Sequence, residues 1–187
     1  MTGRPVKPDR LPVVGVMGSG THAHTARARR VGRWLAAEGV HLLCGGGSGV
    51  MAAVSEAFCT VPGRKGSVIG ILPCRANDPT RPPIGYPNGW VEIPIFTHLP
   101  FSGSRGTEFT SRNHINILTS RVIIALPGGT GTASEVALAL QYNRPVVAFL
   151  GSRADIPGLA EAVMVTDRFE QVTAFIRSVL NAPAKDG

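Results

Sequence analysis

A glycine-rich turn with a carboxylate beside it is the part of this sequence best suited to chemistry. The turn spans 127–132 and reads Pro-Gly-Gly-Thr-Gly-Thr, and Glu135 follows three residues later. An apolar run at 122–126 precedes the turn, and a helical pattern at 136–141 follows it. A strand that leads through a glycine turn into a helix directs free N–H groups and the positive end of the helix dipole at a ligand. The segment therefore predicts an anion site with a carboxylate next to it.

Two interpretations of Glu135 are open from the residues alone. We expect Glu135 in the first turn of the predicted helix, where an acidic side chain stabilises the helix dipole without any chemical role. Beside a bound phosphate, the same carboxylate could instead stabilise developing positive charge or position and deprotonate a water molecule.

A second candidate for chemistry is Arg112, which lies in the helical pattern at 108–120 before the key strand. This helix is apolar at Ile115 and Leu118, yet it carries a polar set made of Ser111, Arg112, Asn113 and Asn116. Arginine is the natural partner of a phosphate because its planar guanidinium offers a fork of hydrogen-bond donors. We therefore predict that Arg112 reaches the same ligand as the glycine turn.

Strand and helix patterns alternate along the whole chain. Strand patterns lie at 13–17, 40–43, 68–72, 91–96, 122–126, 146–150 and 163–165, and helical patterns at about 25–38, 50–58, 108–120, 136–141 and 168–180. Repeated strand–helix units with apolar strands predict a parallel sheet covered by helices on both faces. The predicted fold is one Rossmann-like α/β domain over 12–182, between a short basic arm at 1–11 and a tail at 183–187.

Three glycine turns follow strands of this predicted sheet, at Gly18–Gly20, Gly45–Gly49 and Gly128–Gly131. Parallel strands end at one edge of a sheet, and ligands bind there. The three turns are therefore expected to border one crevice. The irregular segment at 73–88 is expected to be functional or mobile, and the segment at 97–107 to be flexible.

Composition narrows the function classes. The formal net charge of +7 permits an anionic partner, but the densest basic patch, Arg27 to Arg33, has the pattern of a solvated helix face. Nucleic acid is therefore a minor alternative. Three cysteines without metal-ligand spacing indicate reduced thiols in a cytoplasmic protein, and no apolar run approaches the length of a membrane span.

The first glycine turn fits the Gly-x-Gly-x-x-Ala form of a dinucleotide fingerprint, but no acidic residue follows the second strand. We therefore disfavour NAD, and a plain tight turn explains Gly18–Gly20 as well as ligand contact does. The five histidines are scattered, and none is predicted to be a catalytic base. His22 and His24 flank this turn and either contact a ligand or begin a solvent-facing helix.

The second and third glycine turns together resemble the LOG superfamily, long mislabelled as lysine decarboxylases. The resemblance covers about 13–150 and rests on Gly45-Gly46-Gly47 with Gly49-Val50-Met51 and on the Pro-Gly-Gly-x-Gly-Thr-x-x-Glu pattern that ends at Glu135. This superfamily contains nucleoside 5′-monophosphate phosphoribohydrolases and molybdenum cofactor carriers. The hydrolases have an Arg-Lys pair where this chain has Arg112-Asn113, and the surrounding run looks closer to the branch with the carriers.

The resemblance implies a cytoplasmic homodimer or higher homo-oligomer that binds a small phosphorylated ligand and requires no metal or other cofactor. We predict hydrolysis of the N-glycosidic bond of a nucleoside monophosphate, with Glu135 and Arg112 as the catalytic residues. The alternative is a non-enzymatic carrier that holds the molybdenum cofactor by its phosphate. The predicted ligand contacts are Gly18, Ser19, Gly20, Gly46, Gly47, Met51, Asn113, Gly128, Gly129, Thr130, Gly131 and Thr132.

Overall fold

A computed structural model describes residues 10–183, which form a doubly wound α/β domain. The strands are β1 (Val13–Met17), β2 (His41–Cys44), β3 (Val68–Leu72), β4 (Ile93–Phe96), β5 (Val122–Ala125), β6 (Val146–Phe149) and β7 (Met164–Thr166). The helices are α1 (Thr25–Ala37), α2 (Val50–Cys59), α3 (Asn113–Thr119), α4 (Thr130–Gln141) and α5 (Phe169–Asn181). The predicted Rossmann-like fold is thereby confirmed. The predicted arm at 1–11 and tail at 183–187 lie almost wholly outside the described residues.

The seven strands form one parallel sheet in the order β4-β3-β2-β1-β5-β6-β7. The strand order reverses at β1, which pairs with β2 on one side and with β5 on the other. Connections from β1 and β5 leave in opposite directions, so a crevice opens between their carboxyl ends. The first and third glycine turns follow these two strands and border that crevice.

A hydrophobic core lies on each face of the sheet. Side chains of α1, α2 and α5 pack with alternate strand residues such as Val14, Val16 and Ile124 on one face. The other face packs against α3 and α4 through Ile117, Val136 and Leu138. Because the central strands are covered on both faces, they are continuous apolar runs, which is why the sequence patterns located them to within two residues.

The start of α4 differs from the sequence prediction. The helix begins at Thr130, so the second half of the glycine turn forms its first turn and Glu135 lies in its second turn. The interpretation of Glu135 as a first-turn acid is therefore wrong, and the first turn of α4 contains no acidic residue. Gly131, in the first turn of this helix, packs directly on Gly103, whose Cα would be 3.0 Å from a Cβ atom at 131.

Two further segments differ from expectation. The helix predicted over 108–120 is shorter, because α3 begins at Asn113 with Arg112 at its N-cap position. The segment 97–107, expected to be a flexible loop, contains a 3-10 turn at Gly103–Arg105 that packs against α4. Both differences place polar backbone and side chains next to the start of α4.

Candidate functional site

A cavity of about 290 Å³ lies at the carboxyl ends of β1 and β5 and is bordered by parts of all three glycine turns. Eleven predicted site residues line it: Gly18, Ser19, Gly20, Met51, Arg112, Asn113, Gly129, Thr130, Gly131, Thr132 and Glu135. Gly46, Gly47 and Gly128 lie outside the lining. The structure thus brings together most of the candidates, as the parallel topology requires.

The wall formed by α4 presents unpaired backbone donors. Gly129 is the N-cap residue and has no side chain to cap the helix. Helix geometry leaves the N–H groups of the first turn, Thr130 to Thr132, without intrahelical partners. Since these three residues line the cavity, their N–H groups and the positive end of the helix dipole favour an anion at this wall.

Gly128 joins the first and third turns without lining the cavity. A Cβ atom there would lie 2.1 Å from Oγ1 of Thr132 and 2.9 Å from the backbone nitrogen of Ser19. The same nitrogen donates a hydrogen bond of 3.0 Å to the carbonyl of Pro127. Glycine is required at 128 because the two turns approach more closely than any side chain allows.

Gly46 and Gly47 likewise shape the second turn. Gly46 has a φ of +75°, and a Cβ atom at Gly47 would lie 2.6 Å from the hydroxyl oxygen of Tyr86. The segment that carries Tyr86 is tied to this turn, since Asn88 donates its backbone N–H to Gly46 and its side-chain amide to Gly47, each at 2.8 Å. The irregular segment at 73–88 therefore supplies Tyr86 to the cavity.

Arg112 is a buried cation. Its side chain is 3% exposed, and neither Nε nor Nη1 has a hydrogen-bond partner in the described structure. No carboxylate of residues 10–183 lies within 4.0 Å of its guanidinium nitrogens. A buried charge without a partner is costly, so the fold retains this arginine at the expense of stability. Because Arg112 lines the cavity, its positive charge favours an anionic ligand there.

Gly45 makes room for this guanidinium. A Cβ atom at 45 would lie 2.2 Å from Nη1 and 2.4 Å from Nη2 of Arg112. Gly45 lines the cavity, although it was not among the predicted site residues. Its sequence signal is its place as the first of three glycines that directly follow β2.

We expect Gly45→Ala to displace the guanidinium of Arg112 and weaken phosphate binding about tenfold, which corresponds to one charge-assisted hydrogen bond. Calorimetric titration with inorganic phosphate measures the change. Gly89→Ala is the matched control, because an added methyl group at 89 meets nothing within 4 Å in the described structure. Equal affinities for phosphate in the two variants would show that Gly45 does not position Arg112.

Glu135 lies beside Arg112 on the cavity wall. Its side chain is 8% exposed, and Nδ2 of Asn116 donates a hydrogen bond of 3.4 Å to Oε1. Burial raises the pKa of Glu135 from 4.5 to about 7, against the opposing effects of the Arg112 charge and the Asn116 hydrogen bond. The carboxyl group is therefore poised between its neutral and charged forms near neutral pH. Sequence reasoning noted Asn116 as polar but did not assign it to the site.

The chain matches the SLOG cluster4 family over residues 11–178. The chain belongs to the SLOG cluster4 family. The predicted membership of the LOG superfamily is confirmed.

Two solved structures are similar to this chain in sequence and in fold. The molybdenum cofactor binding protein of the phototrophic bacterium Rippkaea orientalis is 31% identical, with a TM-score of 0.67, and the match covers 92% of this chain and 99% of that one. The molybdenum cofactor carrier protein of Chlamydomonas reinhardtii is also 31% identical, with a TM-score of 0.68 and coverage of 92% and 100%.

A more distant relative is similar to this SLOG cluster4 protein in fold only. DNA processing protein A of Helicobacter pylori, described with a single-stranded DNA binding mode, is 18% identical with a TM-score of 0.59, and the match covers 91% of this chain and 82% of that one. In the present chain, two arginines of the basic α1 patch are paired on the surface. Arg29 lies 3.7 Å from Glu56, and Arg30 lies 3.0 Å from Glu170 and over the ring of Phe169. These contacts are those of a structural helix face.

Within the described residues of this SLOG cluster4 protein, the histidine and cysteine side chains lie outside the cavity. His22 and His24 are exposed and do not line it. Cys44, Cys59 and Cys74 are free thiols. Within residues 10–183, no group of three or more histidine, cysteine, aspartate or glutamate side chains is placed to hold a metal ion. In the same range, every helix is too short or too polar to cross a membrane.

Proposed function

We propose that this protein binds the molybdenum cofactor by its phosphate group and carries it without cleaving it. The observation that carries the proposal is the pairing of an uncapped α4 with a buried Arg112 that has no partner among the described residues. The likeness to proteins named for binding or carrying this cofactor, at 31% identity over 92% of the chain, supports the choice of ligand.

The phosphate end of the cofactor fits the residues present. The N–H groups of Thr130 to Thr132 supply donors from the backbone, and the guanidinium of Arg112 supplies donors from the side chain. Gly18 to Gly20 and Gly129 to Gly131 expose little side-chain bulk, so a phosphate can approach the backbone closely. The molybdenum is part of the cargo, and the described residues are required only to hold the organic part that carries it.

The alternative of catalysis rests on one specific observation, the position of Glu135 beside Arg112 on the wall of the same cavity. Cleavage of an N-glycosidic bond develops positive charge on the ribose, which a carboxylate stabilises. A pKa of about 7 also suits Glu135 to accept a proton from an attacking water molecule. The second candidate function is therefore hydrolysis of a nucleoside 5′-monophosphate to its base and ribose 5-phosphate, with Glu135 and Arg112 as catalytic residues.

Two assays on the same purified protein separate these functions. The carrier proposal predicts that added molybdenum cofactor is protected from oxidation and that AMP yields no free adenine. Hydrolysis predicts release of adenine and ribose 5-phosphate, with loss of that activity in Glu135→Ala. Adenine release that is undiminished in Glu135→Ala would contradict the catalytic role of this residue, and cofactor that oxidises at the unprotected rate would contradict the carrier.

We also propose that the protein acts as a homo-oligomer in the cytoplasm. Support for association comes from the outer strand β4, where Ile93, Ile95 and Phe96 are 40% to 61% exposed. An apolar strand at a sheet edge favours pairing with another chain. Sedimentation analysis tests this, and a monomer at micromolar concentration would contradict it.

A further inference from the structure

A buried amide oxygen without a partner lies on the cavity wall beside the anion-binding donors. Asn113 is 1% exposed and lines the cavity, and its Oδ1 accepts no hydrogen bond within the described residues. Buried polar groups almost always have partners, and one that lacks them commonly has a functional role. The unpaired Oδ1 of Asn113 is therefore a second polar feature of the site, opposite in character to the donors of Arg112.

The orientation of this amide follows from its surroundings. The backbone N–H of Asn113 donates to Oγ of Ser111 at 3.2 Å, and that hydroxyl donates to the carbonyl of Phe101 at 2.9 Å. The side-chain nitrogen lies against Gly106, where a Cβ atom would be only 2.4 Å away. With the backbone anchored and the nitrogen packed against Gly106, the oxygen is the end of the amide that is fully buried without a hydrogen-bond partner.

Asn116 has a different role. Its Oδ1 is also buried without a partner in the described part of the chain, but Asn116 does not line the cavity, and its Nδ2 is used to donate to Glu135. Asn113 is therefore the amide placed to contact a ligand directly. The charged groups on the same wall are Arg112, which offers donors alone, and Glu135, whose carboxyl group changes form near neutral pH.

We propose that Asn113 accepts a hydrogen bond from an N–H or O–H group on the ring system of the ligand and thereby selects rings that carry donors. This inference rests on the proposed binding of a phosphorylated ligand and deepens it. The site then binds the ligand at two ends, the phosphate and the ring system. Arg112 and α4 bind the phosphate, and Asn113 distinguishes a ring with amide or amino hydrogens from one that has acceptors alone.

Two nucleotides with the same ribose phosphate test the inference. GMP carries ring N–H and amino donors, whereas purine riboside 5′-monophosphate carries no donor on its ring. We expect the wild-type protein to bind GMP about tenfold more tightly, which is the effect of one well-made hydrogen bond that would otherwise leave a buried group unpaired. Calorimetric titration of both nucleotides and of inorganic phosphate supplies the three affinities.

Asn113→Leu removes the acceptor while keeping the branched shape of the side chain, and is expected to abolish the preference for GMP while leaving the affinity for inorganic phosphate within about twofold. Asn113→Ala, which needs no additional space, serves the same purpose where leucine disturbs folding. The affinity ratio of the two nucleotides in each variant isolates the ring contact from the shared phosphate contact.

Three outcomes would overturn the inference. They are a wild-type protein that binds the two nucleotides equally, variants that keep the wild-type ratio, and variants that lose phosphate affinity by the same factor as GMP affinity. If none of the three compounds binds to the wild-type protein, the proposed phosphate-binding function fails together with the inference. In each of the three outcomes the wild-type protein still binds phosphate. Failure of the inference about Asn113 is therefore distinguishable from failure of the proposed phosphate-binding function.

Discussion

Replacing Arg112 by leucine is expected to weaken binding of inorganic phosphate and of AMP about a hundredfold. Two donors of the guanidinium, Nε and Nη1, are buried without partners in the described structure, and Arg112 lines the cavity. Each charge-assisted hydrogen bond contributes about 1.5 kcal/mol or more, and two such bonds correspond to roughly a hundredfold in affinity. Calorimetric titration at low ionic strength gives the change directly.

The same substitution is expected to leave the ligand-free protein at least as stable as the wild type. Arg112 is a buried cation that has no ion pair within residues 10–183, so its removal relieves a desolvation cost. Lost affinity with undiminished thermal stability would identify an arginine kept for binding. Arg33→Leu, at an exposed position of α1, is the control and should change neither property. Unchanged phosphate affinity in Arg112→Leu would refute the proposed anion site.

Glu135→Gln is expected to abolish a pH dependence of the free energy of unfolding. Burial raises the pKa of Glu135 from 4.5 to about 7, so the folded protein binds a proton that the unfolded chain releases between these values. The folded wild-type protein therefore loses stability as pH rises from about 4.5 through 7, by an amount on the order of 3 kcal/mol. Glutamine does not titrate, so the variant should be more stable than the wild type at pH 8 and similar to it below pH 4.5.

Urea unfolding of both proteins between pH 4.5 and 8 measures this effect. Glu161→Gln changes the same charge at an exposed position and should keep the pH dependence of the wild type. A wild-type protein and a Glu135→Gln variant with parallel stability curves would show that the carboxyl group is not buried as described. Such a result would also remove the physical basis for a proton-transfer role of Glu135.

The fold could be predicted from sequence because its strands are buried on both faces. Apolar runs such as 122–126 and 146–150 located β5 and β6, and alternation with helices required a parallel sheet. That topology places the ends of β1, β2 and β5 at one edge, so the three glycine turns had to meet. The convergence of Gly18–Gly20 with Gly129–Gly131 could therefore be predicted from the sequence.

The residue at which α4 begins could not be predicted from the sequence in this way. Glycine and threonine are weak helix formers, so the segment 129–132 has the local pattern of a loop. In the structure these residues form the first turn of α4, with Gly131 packed against Gly103, which is distant in sequence. Glu135 therefore lies in the second turn of the helix and not in the first, as the sequence pattern had predicted.

The roles of individual side chains depended even more on distant contacts. Gly45 is important because Arg112 packs on it. The two residues are far apart in the sequence, with β3 and β4 between them. The orientation of the Asn113 amide depends on Gly106 and on the hydroxyl of Ser111. A motif identifies which residues are present, whereas the vacant donors and acceptors that recognise a ligand become visible only once all neighbours are placed.

The carrier and the hydrolase share the phosphate site and differ in what Glu135 does. Its burial beside Arg112 suits either a proton-transfer group or a neutral hydrogen-bond donor to a bound cofactor.

Identification of the ligand that co-purifies with the protein tests the central claim most directly. The protein is isolated without oxygen, the bound material is released and oxidised, and its fluorescence and mass are measured beside those from the Arg112→Leu variant. We predict a pterin that carries a phosphate, in near-stoichiometric amount from the wild type and absent from the variant. A wild-type protein that yields no phosphorylated pterin and converts AMP to adenine and ribose 5-phosphate would contradict the carrier function.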